Sequence, residues 1–375
     1  MTGSRPDVLV VGGGVIGCAI AAELAARGIA ATVLERAEPG AEASGAAAGM
    51  LTPQTDARAR DAFFDLAVES RGLYPEWSRG LFEETGVDVG YRKTGLLHVR
   101  FEGEASGDPA APFAWQRAAS LSVIARRREE LAREAGGRLS PRAADAVFFP
   151  DEGVVDPRRL TRAVWIAAER RGASVRTGVT VEGFRVDRGR CLGVETSEGP
   201  LEAGAVVDAA GAWAGFGGRM PLPLPVEPVR GQIVELALPP PPLATIVATD
   251  DVYVVPRPDG TVLLGSTVER VGFRKEVTAG AVARLVAAAA RVMPAIESAA
   301  YVRAWSGLRP STPDGWPVLG RSPVPGLFFA AGHYRNGILL APATARLVAD
   351  VLTGGPERDL AAFSVERFAP ALRLA

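Results

Sequence analysis

The chain has little of what equips several other protein classes. Two cysteines, Cys18 and Cys191, are too few for a disulfide framework and point to a reducing compartment. Two histidines build no typical zinc site without carboxylates at recognisable spacing, so no metal is expected. Lysine is nearly absent, with only Lys93 and Lys275 against forty arginines. The net charge of -1 and the lack of any basic cluster give no footprint for a polyanion, which excludes nucleic acid as an expected partner. The apolar stretch from Val8 to Ala26 is interrupted by glycines and by Glu23, has no charged n-region and leads to no small-residue cleavage pattern. Neither signal peptide nor membrane span is expected, and a cytoplasmic location follows.

What is present is an ordinary globular composition, 47% hydrophobic and 23% charged over 375 residues, enough for a large core and two structural units. Asp7-Val8-Leu9-Val10-Val11 reads as a buried strand running into Gly12-Gly13-Gly14-Val15-Ile16-Gly17, which opens a helix over Cys18 to Arg27. Ala31 to Glu35 is the next strand of a βαβ start. Gly12, Gly14 and Gly17 allow a tight turn, close approach of a pyrophosphate and close helix packing, and Glu35 is placed to accept from ribose hydroxyls. A dinucleotide site is the reading; a glycine turn serving helix packing alone is the alternative.

Further elements follow from spacing. Apolar residues recur helically from Asp61 to Glu84, with Gly86 ending the run, and Gly95 to Phe101 is strand-like. Ala118 to Ala135 is read as a basic helix, Glu102 to Pro112 as a surface loop, and Asp156-Pro157 as the cap of a helix through Arg171. Short strands are expected near Ser174 to Val186, Arg190 to Thr196 and Ala205 to Ala209. A turn-rich Pro221 to Pro228 leads to a strand at Gly231 to Leu236, with a loop at Pro239 to Pro242. Val252 to Val255 and Val262 to Gly265 form a hairpin through Pro258-Asp259-Gly260, and Ala279 to Val292 is a helix. The later strands alternate, which implies a second, mostly antiparallel sheet.

Ser44 to Met50 is a run of small residues that suits an extended cofactor lying against backbone, or is simply a flexible loop. The decisive segment is Gly332-His333-Tyr334-Arg335-Asn336-Gly337-Ile338-Leu339, a polar turn against the start of an apolar helix. Its free N–H groups and dipole favour negative charge, as on a reduced flavin's pyrimidine edge.

On these residues, and on Asp61-Ala62-Phe63-Phe64 and Trp305-Ser306-Gly307-Leu308-Arg309-Pro310, the whole chain resembles the FAD-dependent amino-acid oxidases that include D-amino-acid and sarcosine oxidases. It is most similar to their glycine-oxidase branch of thiamine biosynthesis. The resemblance implies noncovalent FAD held at Val15, Ile16, Glu35, Arg36, Ala43, Ser44, Ala48, Gly49, Met50, Val179 and from His333 to Leu339. Neither cysteine stands where that family attaches flavin covalently. Arg309 is implied as the substrate carboxylate clamp, against the alternative of a surface ion pair, with Tyr253 and Arg335 assisting. His333 is read as a flavin contact rather than an acid or base. Met50, Asp251 and Val268 are expected in the substrate pocket; Asp251 either attracts a cationic group or faces solvent.

The expectation is an α/β fold with a Rossmann-like FAD-binding domain at 1–85, 148–222 and 305–375. A second domain at 86–147 and 223–304 is built on a mostly antiparallel sheet flanked by helices. The expected reaction is oxidation of glycine or an N-substituted glycine to glyoxylate, ammonia or a primary amine, and hydrogen peroxide, with oxygen as acceptor. The alternative is a D-amino-acid or sarcosine-type oxidase or dehydrogenase that passes electrons to another carrier. A homo-oligomer is implied by the resemblance.

Overall fold

The computed structural model describes residues 6–104, 107–135, 137–215, 221–238, 243–355 and 360–368. The runs Val8–Val11 and Ala205–Asp208 sit at the centre of a six-stranded sheet, where burial on both faces removes any need for polar alternation. The strand order is Val318–Arg321, Leu327–Ala331, Ala205–Asp208, Val8–Val11, Ala31–Leu34, Ser174–Arg176. All neighbours are parallel except the first pair.

The helix Val15–Ala26 is buried along most of its length, between Pro157–Arg170 and Gly337–Thr353 on one face of this sheet. Gly17 makes that approach possible, since a Cβ there would lie 2.0 Å from the Gly12 carbonyl oxygen. The opposite face is covered by the antiparallel strands Val181–Asp187, Arg190–Thr196 and Gly199–Glu202, through Leu9, Val206, Phe184 and Val194.

The second sheet has eight strands in the order Ala300–Ser311, Glu227–Ala237, Thr261–Gly265, Tyr253–Pro256, Ile246–Ala248, Leu96–Phe101, Ala143–Phe149, Ile124–Arg127. Only Ile246–Ala248 against Leu96–Phe101 is parallel. The helix Ala279–Val292 covers one face, packing Leu285 and Ala289 on Val234, Val254 and Leu264. The other face, with Ile233, Val255 and Leu263, turns toward Ala48 and Met50 of the first unit.

Two helices are fastened to each other in a way their polar residues explain. Ala62–Thr85 starts at Asp61, whose side chain accepts from Phe64 N at 2.7 Å, and ends at Gly86 with φ 73°. Pro342 interrupts the last helix, Gly337–Thr353, and cannot donate to the carbonyl of Ile338. The Tyr74 hydroxyl donates to that carbonyl instead, and Ser70 donates to the carbonyl of Leu339 at 2.7 Å. The first long helix therefore supports the beginning of the last one.

Several expectations are corrected. Ala118 to Ala135 is not one helix: Ser120 takes φ 62°, the strand Ile124–Arg127 intervenes, and only Ala114–Ala118 and Arg128–Glu134 are helical. Positive φ at a non-glycine residue breaks the helical path there. The strand at Gly231 starts earlier, at Glu227. Ala300–Ser311 is one continuous strand of the second sheet, so the expected boundary at 305 cuts through it. The loop expected at Pro239 to Pro242 lies outside the described residues. Among the described residues no helix is long and apolar enough to cross a membrane.

Candidate active site

One cavity of about 810 Å³ runs between the two sheets. At one end Gly12, Gly14, Val15 and Ile16 line it, followed by Glu35, Arg36, Val179 and the segment from Ala43 to Met50. At the other end are Arg309, Tyr253, and His333 through Ile338. Of the expected cofactor residues, Gly17, Gly332 and Leu339 do not line it. Gly17 packs on Gly12, Gly332 (φ 75°) lies against Thr312, and Leu339 belongs to the core.

Two helices begin at this cavity, and neither N-cap residue caps its helix with a side chain. The first loop is held by local bonds: Gly13 N donates to Glu35 Oε2 at 2.7 Å, and Val15 N to Ser44 Oγ at 3.0 Å. A Cβ on Gly12 would stand 2.6 Å from the Ala209 carbonyl oxygen, so the bare backbone keeps the loop tight. Arg36 pairs with Glu42 at 2.9 Å and lies 3.8 Å from the centre of the Trp213 ring. Two helix starts without N-cap side-chain bonds, a small-residue floor from Ala43 to Gly49 and a carboxylate at Glu35 lining the cavity suit an extended dinucleotide. On these observations the donor set fits FAD.

At the far end, Tyr334 adopts φ 48° and its N donates to the Pro310 carbonyl at 2.7 Å, which folds the polar turn over the strand Ala300–Ser311. The His333 ring is buried, with Nε2 3.1 Å from Thr344 Oγ1. Burial holds its pKa down to about 3, so the imidazole is neutral and unsuited to proton transfer near neutral pH. Arg335 lies half-exposed and pairs with Asp56 Oδ2 at 3.3 Å.

Arg309 is the partly buried cation of the site. Its Nη1 donates to the Thr267 carbonyl at 3.0 Å and its Nη2 to Ser266 Oγ at 2.6 Å. Among the described residues no carboxylate lies within ion-pair distance of it. Burial lowers its pKa, with the Tyr253 and Tyr334 phenols opposing that shift. A partly buried guanidinium with hydrogen-bond partners, and no carboxylate within reach among the described residues, is suited to take an anion from the cavity beside it. Tyr253, on the strand Tyr253–Pro256 of the same sheet, is half-buried, and desolvation raises its phenol pKa.

Two glycines that motif reading missed make this pair possible. A Cβ on Gly231 would fall 2.2 Å from both Nη1 and Nη2 of Arg309, and one on Gly265 would fall 2.3 Å from Tyr253 Cζ. A glycine inside a strand pattern signals close approach of another group, and both carried that signal. Ser266 and Thr267, the acceptors for Arg309, carried none. Asp251 and Val268 line the open rim: Asp251 is exposed, 3.8 Å from Arg291, and Val268 is 57% exposed. Asp251 thus faces solvent. Met50 lines the cavity between the two ends. Among the described residues there is no group of three or more His, Cys, Asp or Glu able to hold a metal.

Comparison with known proteins bears on this arrangement. The family described as FAD dependent oxidoreductase matches residues 7–351. The glycine oxidase of Geobacillus kaustophilus is 40% identical over 368 residues, covering 97% of each chain. Its crystal structure superposes with a TM-score of 0.91 over 97% of this chain and 99% of that one, at 38% identity. The bifunctional protein ThiO/ThiG of Trichormus variabilis is 38% identical over 92% of this chain, which spans about half (52%) of that relative's length. The iminodiacetate oxidase of Chelativorans sp. superposes with a TM-score of 0.83 at 27% identity, covering 95% of this chain and 98% of the other.

Proposed function

Because this chain belongs to the FAD-dependent oxidoreductase family, we propose that its cavity binds a small amino acid by the carboxylate and presents the α C–H bond for oxidation. FAD is the cofactor, and the enzyme acts on CH–NH bonds of glycine-type substrates. Bound there, FAD supplies the acceptor for the hydride leaving the α carbon.

The protein's own contribution is orientation. Arg309 takes the carboxylate, its fork fixing direction as well as charge, and the Tyr253 hydroxyl adds a second donor from another strand of the same sheet. Arg335 adds positive potential at the turn. No buried acid or base is needed if the amine enters neutral, and the depressed pKa of His333 agrees with that. The N-terminus of Gly337–Thr353 opens on the cavity and favours negative charge there. Glu35 and Arg36 would hold the adenosine ribose, Val15 and Ile16 the pyrophosphate and Val179 the adenine, with Ala43, Ser44 and Ala48 to Met50 as further contacts and His333 to Ile338 around the ring system. Loss of hydride from carbon and a proton from nitrogen gives the imine, which water converts to glyoxylate and ammonia. Oxygen is the proposed final acceptor, giving hydrogen peroxide. A homo-oligomer in the cytoplasm is the proposed setting, the two free cysteines suiting a reducing compartment.

The observation that carries this reading is the partly buried guanidinium of Arg309 facing the cavity, with no carboxylate within ion-pair distance among the described residues. A second substrate, an N-substituted glycine, is favoured by the open rim at Asp251 and Val268, which leaves room beyond the glycyl nitrogen. Anaerobic bleaching of the holoprotein by glycine, sarcosine, longer N-alkylglycines and D-amino acids tests both. Glycine or an N-alkylglycine is expected to bleach fastest. No bleaching by any amine overturns the proposal.

A further inference from the structure

Arg309 and Tyr253 stand on different strands, and one side chain lies beside both. Ser266 directly follows the strand Thr261–Gly265 and lines the cavity. Its Oγ accepts from Arg309 Nη2 at 2.6 Å, and the phenol of Tyr253 lies beside it, its oxygen 2.3 Å from where a Cβ on the preceding residue, Gly265, would stand. A guanidinium has donors only, so at the Arg309 contact the serine oxygen accepts and its single hydrogen is left for the tyrosine. A phenol oxygen that receives a hydrogen bond keeps its own hydrogen to give away. The backbone allows this line of contacts: Gly231 leaves space for the guanidinium and Gly265 for the aromatic ring, while the Thr267 carbonyl takes Nη1 at 3.0 Å.

Resting on the reading of Arg309 and Tyr253 as carboxylate ligands, we propose that Ser266 is a positioning residue that sets the direction of hydrogen bonding in the clamp. Arg309 donates to Ser266, Ser266 donates to Tyr253, and Tyr253 donates into the cavity. Both ligands then present hydrogens to one anion. With the serine hydroxyl removed, the phenol hydrogen has no reason to point at the substrate, and a desolvated Nη2 loses its acceptor.

The test is binding of glycolate, a carboxylate without the oxidisable amine, to the FAD-loaded protein by calorimetry and by perturbation of the flavin absorbance. Ser266→Ala is expected to weaken glycolate by roughly tenfold or more, the effect of losing one hydrogen bond to a charged group, and Ser266→Thr to restore it. Ser266→Ala in a Tyr253→Phe background is expected to cost less than alone, the remainder being the acceptor lost to Arg309, because the serine and the tyrosine act in series. A retained flavin spectrum establishes that the variants are folded. Equal glycolate affinity in wild type and Ser266→Ala, or strictly additive losses with Tyr253→Phe, overturns the role of Ser266 alone. A wild-type protein that binds no glycolate overturns the clamp reading together with it.

Discussion

Gly231→Ala is the sharpest perturbation of the proposed clamp, because it leaves every ligand in place and changes only the room available. The added methyl would begin 2.2 Å from Arg309 Nη1 and Nη2, well inside contact distance. The strand Glu227–Ala237 is paired on both sides and cannot retreat, so the guanidinium moves. In moving it gives up the Thr267 carbonyl at 3.0 Å and Ser266 Oγ at 2.6 Å, and with them its aim. Each hydrogen bond to a charged group contributes about 1.5–3 kcal/mol, so a misdirected fork loses about 3 kcal/mol of carboxylate binding, or roughly a hundredfold in kcat/KM. The overpacking itself costs about 1–3 kcal/mol of stability. Stopped-flow flavin reduction by glycine without oxygen reads the first quantity, and thermal unfolding reads the second. FAD content should match wild type, since Gly231 lies at the substrate end. A variant that keeps wild-type kcat/KM would show that the substrate carboxylate does not depend on Arg309's position, and the clamp would have to be sought elsewhere.

Three further outcomes are expected. Gly17→Ala places a methyl 2.0 Å from backbone that cannot turn aside, so it should lower stability by about 2 kcal/mol or more and reduce flavin content on purification, measured by the ratio of visible to protein absorbance. Tyr74→Phe removes the donor to the Ile338 carbonyl, which Pro342 leaves without a helical partner, and should cost about 1–3 kcal/mol in denaturant unfolding. Glu152 is wholly buried; Gln54 N donates to its Oε1 at 2.8 Å, and Oε2 lies 3.5 Å from Arg71 Nη1. Burial pushes its pKa up from 4.5 to about 8 despite Arg71. The folded state therefore holds a proton that the unfolded state releases above 4.5, so its contribution to stability is full below that pH and is lost as pH rises toward about 8. Glu152→Gln, neutral throughout, should reduce the fall in Tm over that interval relative to wild type, and an unchanged slope would refute the assignment.

The parts of this protein that could be read from sequence are those whose cause is local. Val8–Val11, the glycine turn and Val15–Ala26 follow from a continuous apolar run meeting residues that allow close approach. The hairpin around Asp259-Gly260 and the helix Ala279–Val292 follow from turn chemistry and periodicity. Ala118 to Ala135 misled because alanine and arginine favour helix while the φ of 62° at Ser120 and the hydrogen bond from Gln54 Nε2 to the Ser122 carbonyl are tertiary matters. No strand was expected over Ala300–Ser311, where Gly307 and Pro310 are poor strand formers, yet Gly307 pairs with Gly231 in a ladder that tolerates both. Arg309 was found by resemblance; its acceptors at Ser266 and Thr267 were not, since forty-odd residues separate them and neither has a local signature.

The strand Ala300–Ser311 also acts as a ruler. Trp305 Nε1 donates to the Ala46 carbonyl at 3.0 Å, Gly307 lies against Ala46, Arg309 reaches the anion end, and Ser311 bridges to His333. Each step along it advances about 3.3 Å, so the spacing between the proposed floor of the cofactor and the proposed anchor of the substrate is written in covalent bonds rather than in how two lobes happen to dock. A chimera that exchanges the antiparallel sheet for that of a relative would have to bring this strand along with it, or lose the registration between the molecule that is oxidised and the ring that oxidises it.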